Sequence, residues 1–395
     1  MFIVANLANY NGMASWCWEA AHALHEVGQP VVLVCSEDIK LPGETQVPVI
    51  RFTPEWDVPR LPKTLSERFW NEARNLSSQP IDYLAPLHQL LLSKGITPSA
   101  YFLNACTLHD TTIDVPQHIV GWAYPTSLQG YIEKIGRAYR WKFSKALIRG
   151  TFEYLGWWRK DWRAYRNSDS VLAVSERLRN DLSKRGVRTY LSHPGTNIRA
   201  EEPKPHDSGL CKLLIAAFDL EEDRKRVRWM LQALGVAKKQ GYLKNCTLTL
   251  VGRATDEFKS WVDSLNIPHE FLGHIPRDVL QEVMSEHDVF LFGSRFDDWG
   301  YVLVEAMGQG LCVVAPDLSP FDEILGPSGL VYQMNSPEHF AQQVQSAAHQ
   351  DLFNLRYSSW LRATQLFSRQ VFGASLVTAH QQSQQQSQFS QAKRG

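Results

Sequence analysis

The 395-residue chain is 44% hydrophobic, enough for more than one core, and at about 100–200 residues per domain it divides into two or three domains. Its 41 Lys and Arg balance 41 Asp and Glu, which argues against whole-chain binding to nucleic acid. No stretch approaches the roughly 18 apolar residues of a membrane span, and the N-terminus has no signal-peptide pattern. The six cysteines (Cys17, Cys35, Cys106, Cys211, Cys246, Cys312) lack any CxxC or Cys/His spacing and read as reduced thiols of a cytoplasmic protein.

In chain order, the apolar run Phe2–Leu7 predicts a strand. A loop with Asn9, Asn11 and Gly12 follows, then a helix over Met13–Val27, and Gly28 stops it. Further strands are predicted at Pro30–Cys35, Ala100–Asn104, His118–Trp122 and Ser170–Val174. Ser175 is placed to cap a helix that runs through Lys184 and stops at Gly186. Strands that alternate with helices predict a parallel, doubly wound sheet.

Arg199–Gly209 is polar with two prolines and reads as a linker. The alternation then restarts, with strands at Leu213–Ala217, Thr247–Val251, His269–Leu272, Val289–Gly293 and Cys312–Ala315. Helices are predicted at Val227–Lys239, Glu257–Leu265, Arg277–Glu286 and Tyr301–Gln309. The Gln- and Ser-rich stretch His380–Gln391 reads as a disordered tail. The fold class is therefore α/β, with two Rossmann-like sheets facing each other across a cleft. Ligands in such sheets bind outside the carboxyl ends of the strands, so the chemistry belongs in the loops that follow them.

The most informative loop lies within Phe290–Glu305. A buried strand runs into Asp297, Asp298 and Gly300, and a helix opens there that carries Glu305. A helix N-terminus offers unpaired N–H groups to a diphosphate, and Gly300 allows close approach. Asp297 and Glu305 can each accept hydrogen bonds from hydroxyls, as a sugar and a ribose flanking a diphosphate would supply. An N-capping acid and a surface Glu are the plainer alternative.

This stretch resembles the retaining family 4 glycosyltransferases of the GT-B fold. The likeness rests on Asp297, Asp298-Trp299-Gly300, Glu305-Ala306-Met307, Gly310–Ala315 and Asp322-Glu323. It extends to Leu250-Val251-Gly252, to Phe271-Leu272-Gly273-His274, to Ser168–Glu176 and to His193-Pro194-Gly195. The resemblance implies Lys225, Asp297 and Glu305 as catalytic residues. It implies donor contacts from Gly12, Arg224, Arg226, Gly252, His274, Ser294, Gly300, Tyr301, Val302 and Glu305. It further implies an acceptor domain over 1–200, a nucleotide-sugar domain over 207–365, and a helix over 366–380 that crosses back, followed by the tail 381–395. No protein nucleophile, resident cofactor or metal is implied, and no Asp-x-Asp motif is evident.

The chain also departs from that pattern. Asp297 stands where Glu is usual. Asp219-Leu220 occupies the place of the family's phosphate-clamping Arg, which leaves Arg224 or Arg226 to compensate. Gly121–Tyr124 replaces a strand that often ends in His, and His109 and His118 are out of register and read as packed or surface residues.

Residues 131–166 hold ten Lys/Arg, three acids and ten aromatics. This pattern suits docking on an anionic membrane surface or an ordinary helix pair with aromatic core, with nucleic acid a remote third. The sequence thus points to transfer of a sugar from a nucleotide-sugar to a glycan or lipid-linked acceptor, in the cytoplasm or on the inner membrane face. A sugar-nucleotide epimerase and a non-catalytic carbohydrate- or partner-binding protein remain as alternatives.

Overall fold

The computed structural model describes residues 1–6, 11–37, 39–53, 84–103, 113–121, 164–205, 210–349 and 351–392. Contacts divide the chain into two units, Met1–Pro194 with Arg369–Gly395, and Gly195–Ser368. Most of the basic aromatic stretch 131–166 lies outside the described residues, as do Cys106 and His109.

The first unit opens with β1 (Phe2–Asn6), α1 (Asn11–Glu26), β2 (Val31–Cys35) and β3 (Val49–Arg51). It continues with α2 (Leu84–Ser93), β4 (Ala100–Leu103), β5 (Gln117–Gly121), β6 (Ser170–Ala173), α3 (Glu176–Ser183) and β7 (Thr189–Leu191). Its strands form a seven-stranded sheet in the order β3-β2-β1-β4-β5-β6-β7. Every recorded pairing is parallel. Parallel strands are covered on both faces, which is why β2 reads VVLVC and is buried throughout. Ser175 caps α3, its side chain accepting the Leu178 N–H. His118 is packed inside, with its ring nitrogens meeting Ser170 Oγ at 2.7 Å and His380 Nδ1 at 2.8 Å.

The second unit contains β8 (Cys211–Asp219), α4 (Val227–Lys239), β9 (Cys246–Arg253), α5 (Asp256–Asp263), β10 (His269–Gly273) and α6 (Arg277–Ser285). It goes on through β11 (Val289–Leu291), α7 (Tyr301–Gly308), β12 (Cys312–Pro316), α8 (Phe321–Leu325) and β13 (Leu330–Tyr332). The helices α9 (Pro337–His349) and α10 (Leu352–Phe367) complete it. The sheet has six strands in the order β10-β9-β8-β11-β12-β13, again parallel. The apolar face of α4, Val227, Met230, Leu231, Leu234 and Ala237, follows helical spacing and packs into the core with Leu213, Leu248 and Val314.

Three sequence expectations are corrected. The helix expected over 366–380 begins instead at Arg369, as α11 (Arg369–Ala392), and is separated from α10 by the extended Ser368. The Thr196 N–H bonds the Phe367 carbonyl there at 2.9 Å. The Gln/Ser-rich tail is helical through Ala392 rather than disordered. Gln is a good helix former, and His380, Ser383 and Ser387 find partners in His118, the Asp169 carbonyl and Arg188. The described part of the linker is tied down. Trp360 Nε1 donates to the Arg199 carbonyl and Arg356 to that of Lys204. Arg356 is itself buried against Asp288 at 3.3 Å.

Candidate functional site

In a parallel sheet all carboxyl ends lie at one edge. In the second unit the chain leaves β8 for β9 and β10 on one side, then returns to β11, β12 and β13 on the other. The switch point therefore falls between β8 and β11, where such sheets open a crevice. The loops bordering it are 220–226 and 292–300.

These loops are laced together. Arg224 Nη1 donates to Asp297 Oδ1 at 2.7 Å, and Lys225 Nζ to Asp297 Oδ2 at 2.8 Å. The Arg295 N–H bonds the Arg224 carbonyl at 3.0 Å, and the Arg295 guanidinium reaches Asp223 at 3.3 Å. Gly293 permits the approach, since a Cβ there would lie 2.9 Å from the Lys225 carbonyl oxygen. Ser294 is buried and turns the loop by donating to the Phe296 carbonyl at 2.8 Å. Burial alone would push the Asp297 carboxyl up, but Lys225 and Arg224 outweigh it and hold it below the usual carboxylate range.

The helix α7 starts at Gly300, whose φ of +91° suits glycine alone among ordinary residues. Tyr301 and Val302 form its first turn, where backbone N–H groups lack intrahelical partners and the macrodipole is positive. Glu305, one turn further, is buried and accepts from Arg277 Nε on Oε1 at 2.7 Å. The structure thus gathers Arg224, Lys225 and Asp297 around one loop pair that runs into the helix carrying Glu305. Two cations and a helix N-terminus suit a diphosphate, and carboxylates beside them suit hydroxyls.

Arg226 does not join this group. It takes a left-handed conformation ahead of α4, lies over the Trp229 ring at 4.0 Å and donates to Asn335 at 2.9 Å. Of the two arginines that the sequence offers for the missing clamp, Arg224 is the one beside Lys225. Asp219, at the family's Arg position, instead accepts the Glu221 N–H at 2.8 Å, and Leu220 is buried. Gly252 serves a close approach, because a Cβ would fall 2.0 Å from the Ala217 carbonyl oxygen. Gly252 also lines an open depression of about 410 Å³ with Arg253, Lys259, Leu272 and His274, at the ends of β9 and β10. Gly12 falls in the first turn of α1, in the other unit.

The sequence matches the profile of the family "Glycosyl transferases group 1" over residues 212–350, the stretch that carries this site. That stretch is a group 1 glycosyl transferase domain. The chain is 25% identical over 159 residues to O-antigen chain mannosyltransferase B of Escherichia coli. That match covers 39% of this chain and spans 38% of the length of that relative. Among solved structures, a sucrose-phosphate synthase from Thermosynechococcus elongatus superposes with a TM-score of 0.66 at 15% identity, covering 96% of this chain and 98% of that one. HepE of Anabaena, solved in complex with UDP and glucose, superposes at 0.60 with 16% identity, over 96% and 99% of the two chains. The fold is GT-B, two α/β domains with sheets of seven and six parallel strands.

In the glycosyl transferase domain three side chains escape a reading by motif. Phe218, half exposed, meets the His274 ring edge-on at 5.0 Å, and Arg253 lies over Phe218 at 4.4 Å. Both stand at strand ends, and Phe218, an exposed apolar residue past a buried run, is a usable signal. Arg277 is the third. A cation in the first turn of a helix opposes the macrodipole, and that misplacement was legible in the sequence.

Proposed function

We propose that the chain is a retaining glycosyltransferase that moves a sugar from a nucleotide-sugar to a hydroxyl of a glycan or lipid-linked glycan. The observation that carries this reading is the Arg224–Lys225–Asp297 cluster at the switch point, continuous with the helix that bears Glu305. The group 1 profile and the O-antigen relative support the substrate class.

In this reading the diphosphate lies against Lys225, Arg224 and the first turn of α7. As the bond from the anomeric carbon to the phosphate oxygen breaks, its electron pair goes to the diphosphate. Preorganised donors aimed at that growing charge lower the barrier. The acceptor oxygen bonds the anomeric carbon on the same face, and its proton passes to the departing phosphate. Configuration is thereby retained without a protein nucleophile. Charge neutralisation falls to side chains and helix, so turnover requires no divalent cation. Asp297, once the diphosphate draws off its cations, turns to the sugar hydroxyls, and Glu305 holds the ribose. The Phe218, Arg253 and His274 cluster beside the depression offers two aromatic rings and a cation to the base.

Residues 131–166 would bring the enzyme to an anionic membrane surface from the cytoplasmic side, each Lys or Arg near the surface contributing about 1 kcal/mol. Among the described residues no helix is long and apolar enough to cross a membrane.

The test is titration of UDP, GDP and ADP, bare and as sugar donors, into the protein and into Glu305→Ala. Loss of a hydrogen bond to a charged group should weaken the preferred nucleotide on the order of 10- to 100-fold. Equal affinity in both proteins removes Glu305 from the nucleotide site.

A further inference from the structure

We infer that Arg277 is a positioning residue for Glu305, holding one carboxylate oxygen so that the other faces the nucleotide ribose; this rests on the assignment of Glu305 above. Arg277 is the first residue of α6, where the helix dipole disfavours a cation. Both of its contacts to Glu305, from Nε at 2.7 Å and from Nη2, fall on the same oxygen, Oε1. The carboxylate is thereby gripped at one corner, and Oε2 is left for a ligand.

The grip is itself anchored. Arg277 Nη2 reaches Thr196 Oγ1 at 3.2 Å. Thr196 is fully buried, and its backbone N–H is fixed to the Phe367 carbonyl at 2.9 Å. A guanidinium held between a locked hydroxyl and a buried carboxylate cannot swing toward the ligand without giving up both. It acts through Glu305 rather than on the substrate, and an unpartnered Glu305 would be free to change rotamer at the mouth of α7. Ribose hydroxyls bind best to a carboxylate whose orientation is settled beforehand.

The experiment uses the tightest binder among UDP, GDP and ADP, and its 2′,3′-dideoxy analogue, titrated by calorimetry into wild type, Arg277→Ala and Arg277→Lys. In wild type the dideoxy nucleotide should bind about 10-fold more weakly, the value of hydrogen bonds to a charged group. Arg277→Ala should lose about as much for the natural nucleotide while leaving the dideoxy affinity unchanged, and Arg277→Lys should recover part of the loss. If Arg277→Ala weakens both nucleotides equally, the residue only supports the fold and the inference fails. If it tightens the natural nucleotide, Arg277 competes with the ligand and the inference also fails. Equal binding of the two nucleotides by wild type overturns the ribose role of Glu305 itself, a separate result from the first two.

Discussion

In the proposed reading the leaving diphosphate uses the two cations that Asp297 pairs, and replacing Asp297 by Asn separates its two proposed roles. Each Asp297 carboxylate oxygen takes one charge-assisted hydrogen bond, at 2.7 Å from Arg224 and 2.8 Å from Lys225. A bare nucleoside diphosphate must displace that carboxylate. Asn keeps one uncharged acceptor, so about one bond's worth of competition disappears. A hydrogen bond to a charged group is worth about 1.5–3 kcal/mol. The lower end corresponds to roughly 10-fold tighter binding of the bare nucleotide to Asp297→Asn. Turnover should nevertheless fall, because the sugar loses its carboxylate partner. The assay is calorimetry with the bare nucleotide alongside initial rates with donor and acceptor. Weaker nucleotide binding in Asp297→Asn would refute the reasoning, since Asp297 would then hold the cations in place for the ligand rather than against it.

Lys225→Ala should lower kcat more than it weakens donor binding, because its charge matters most as the diphosphate leaves; an equal loss in both would place it in ground-state binding only. Arg356→Met takes the cation from the buried Asp288 carboxylate, whose charge the Lys212 N–H does not neutralise, and should cost about 3–5 kcal/mol in urea unfolding; a loss below about 1 kcal/mol would contradict the buried pair. Burial, with the neighbouring His380, lowers the His118 pKa from 6.5 to about 3. Between those values the unfolded chain binds a proton that the folded one refuses, so stability is full above pH 6.5 and declines on acidification by up to about 1.4 kcal/mol per pH unit. His118→Asn should flatten that decline in denaturation curves at pH 7.5 and 5, and an unaltered slope would count against it.

Both sheets were legible because buried parallel strands are written as apolar runs such as VVLVC and CVVAP. Short edge strands were not: Val49–Arg51 and Leu330–Tyr332 are three residues each, too short for a period to register. The continuation of the C-terminal helix past residue 380 is not legible, because composition alone suggests disorder for Gln and Ser. The partners of His380, Ser383 and Ser387 come from residues about 200 or more positions away. At the candidate site, the family resemblance singles out Lys225, Asp297 and Glu305. It leaves Arg224 and Arg226 open, because which of them reaches Asp297 depends on a left-handed turn at Arg226 that spacing does not encode. Nor could it pair Arg277 with Glu305, 28 residues apart on different helices.

The central claim is tested most directly by incubating the protein with a nucleotide-sugar panel, an acceptor glycan and EDTA, and following the free nucleotide and the anomeric proton of the product by NMR. The account predicts nucleotide release with one donor, a product of the donor's own anomeric configuration, and loss of both signals in Lys225→Ala. An inverted product, or nucleotide release that survives in Lys225→Ala but stops in EDTA, would contradict it.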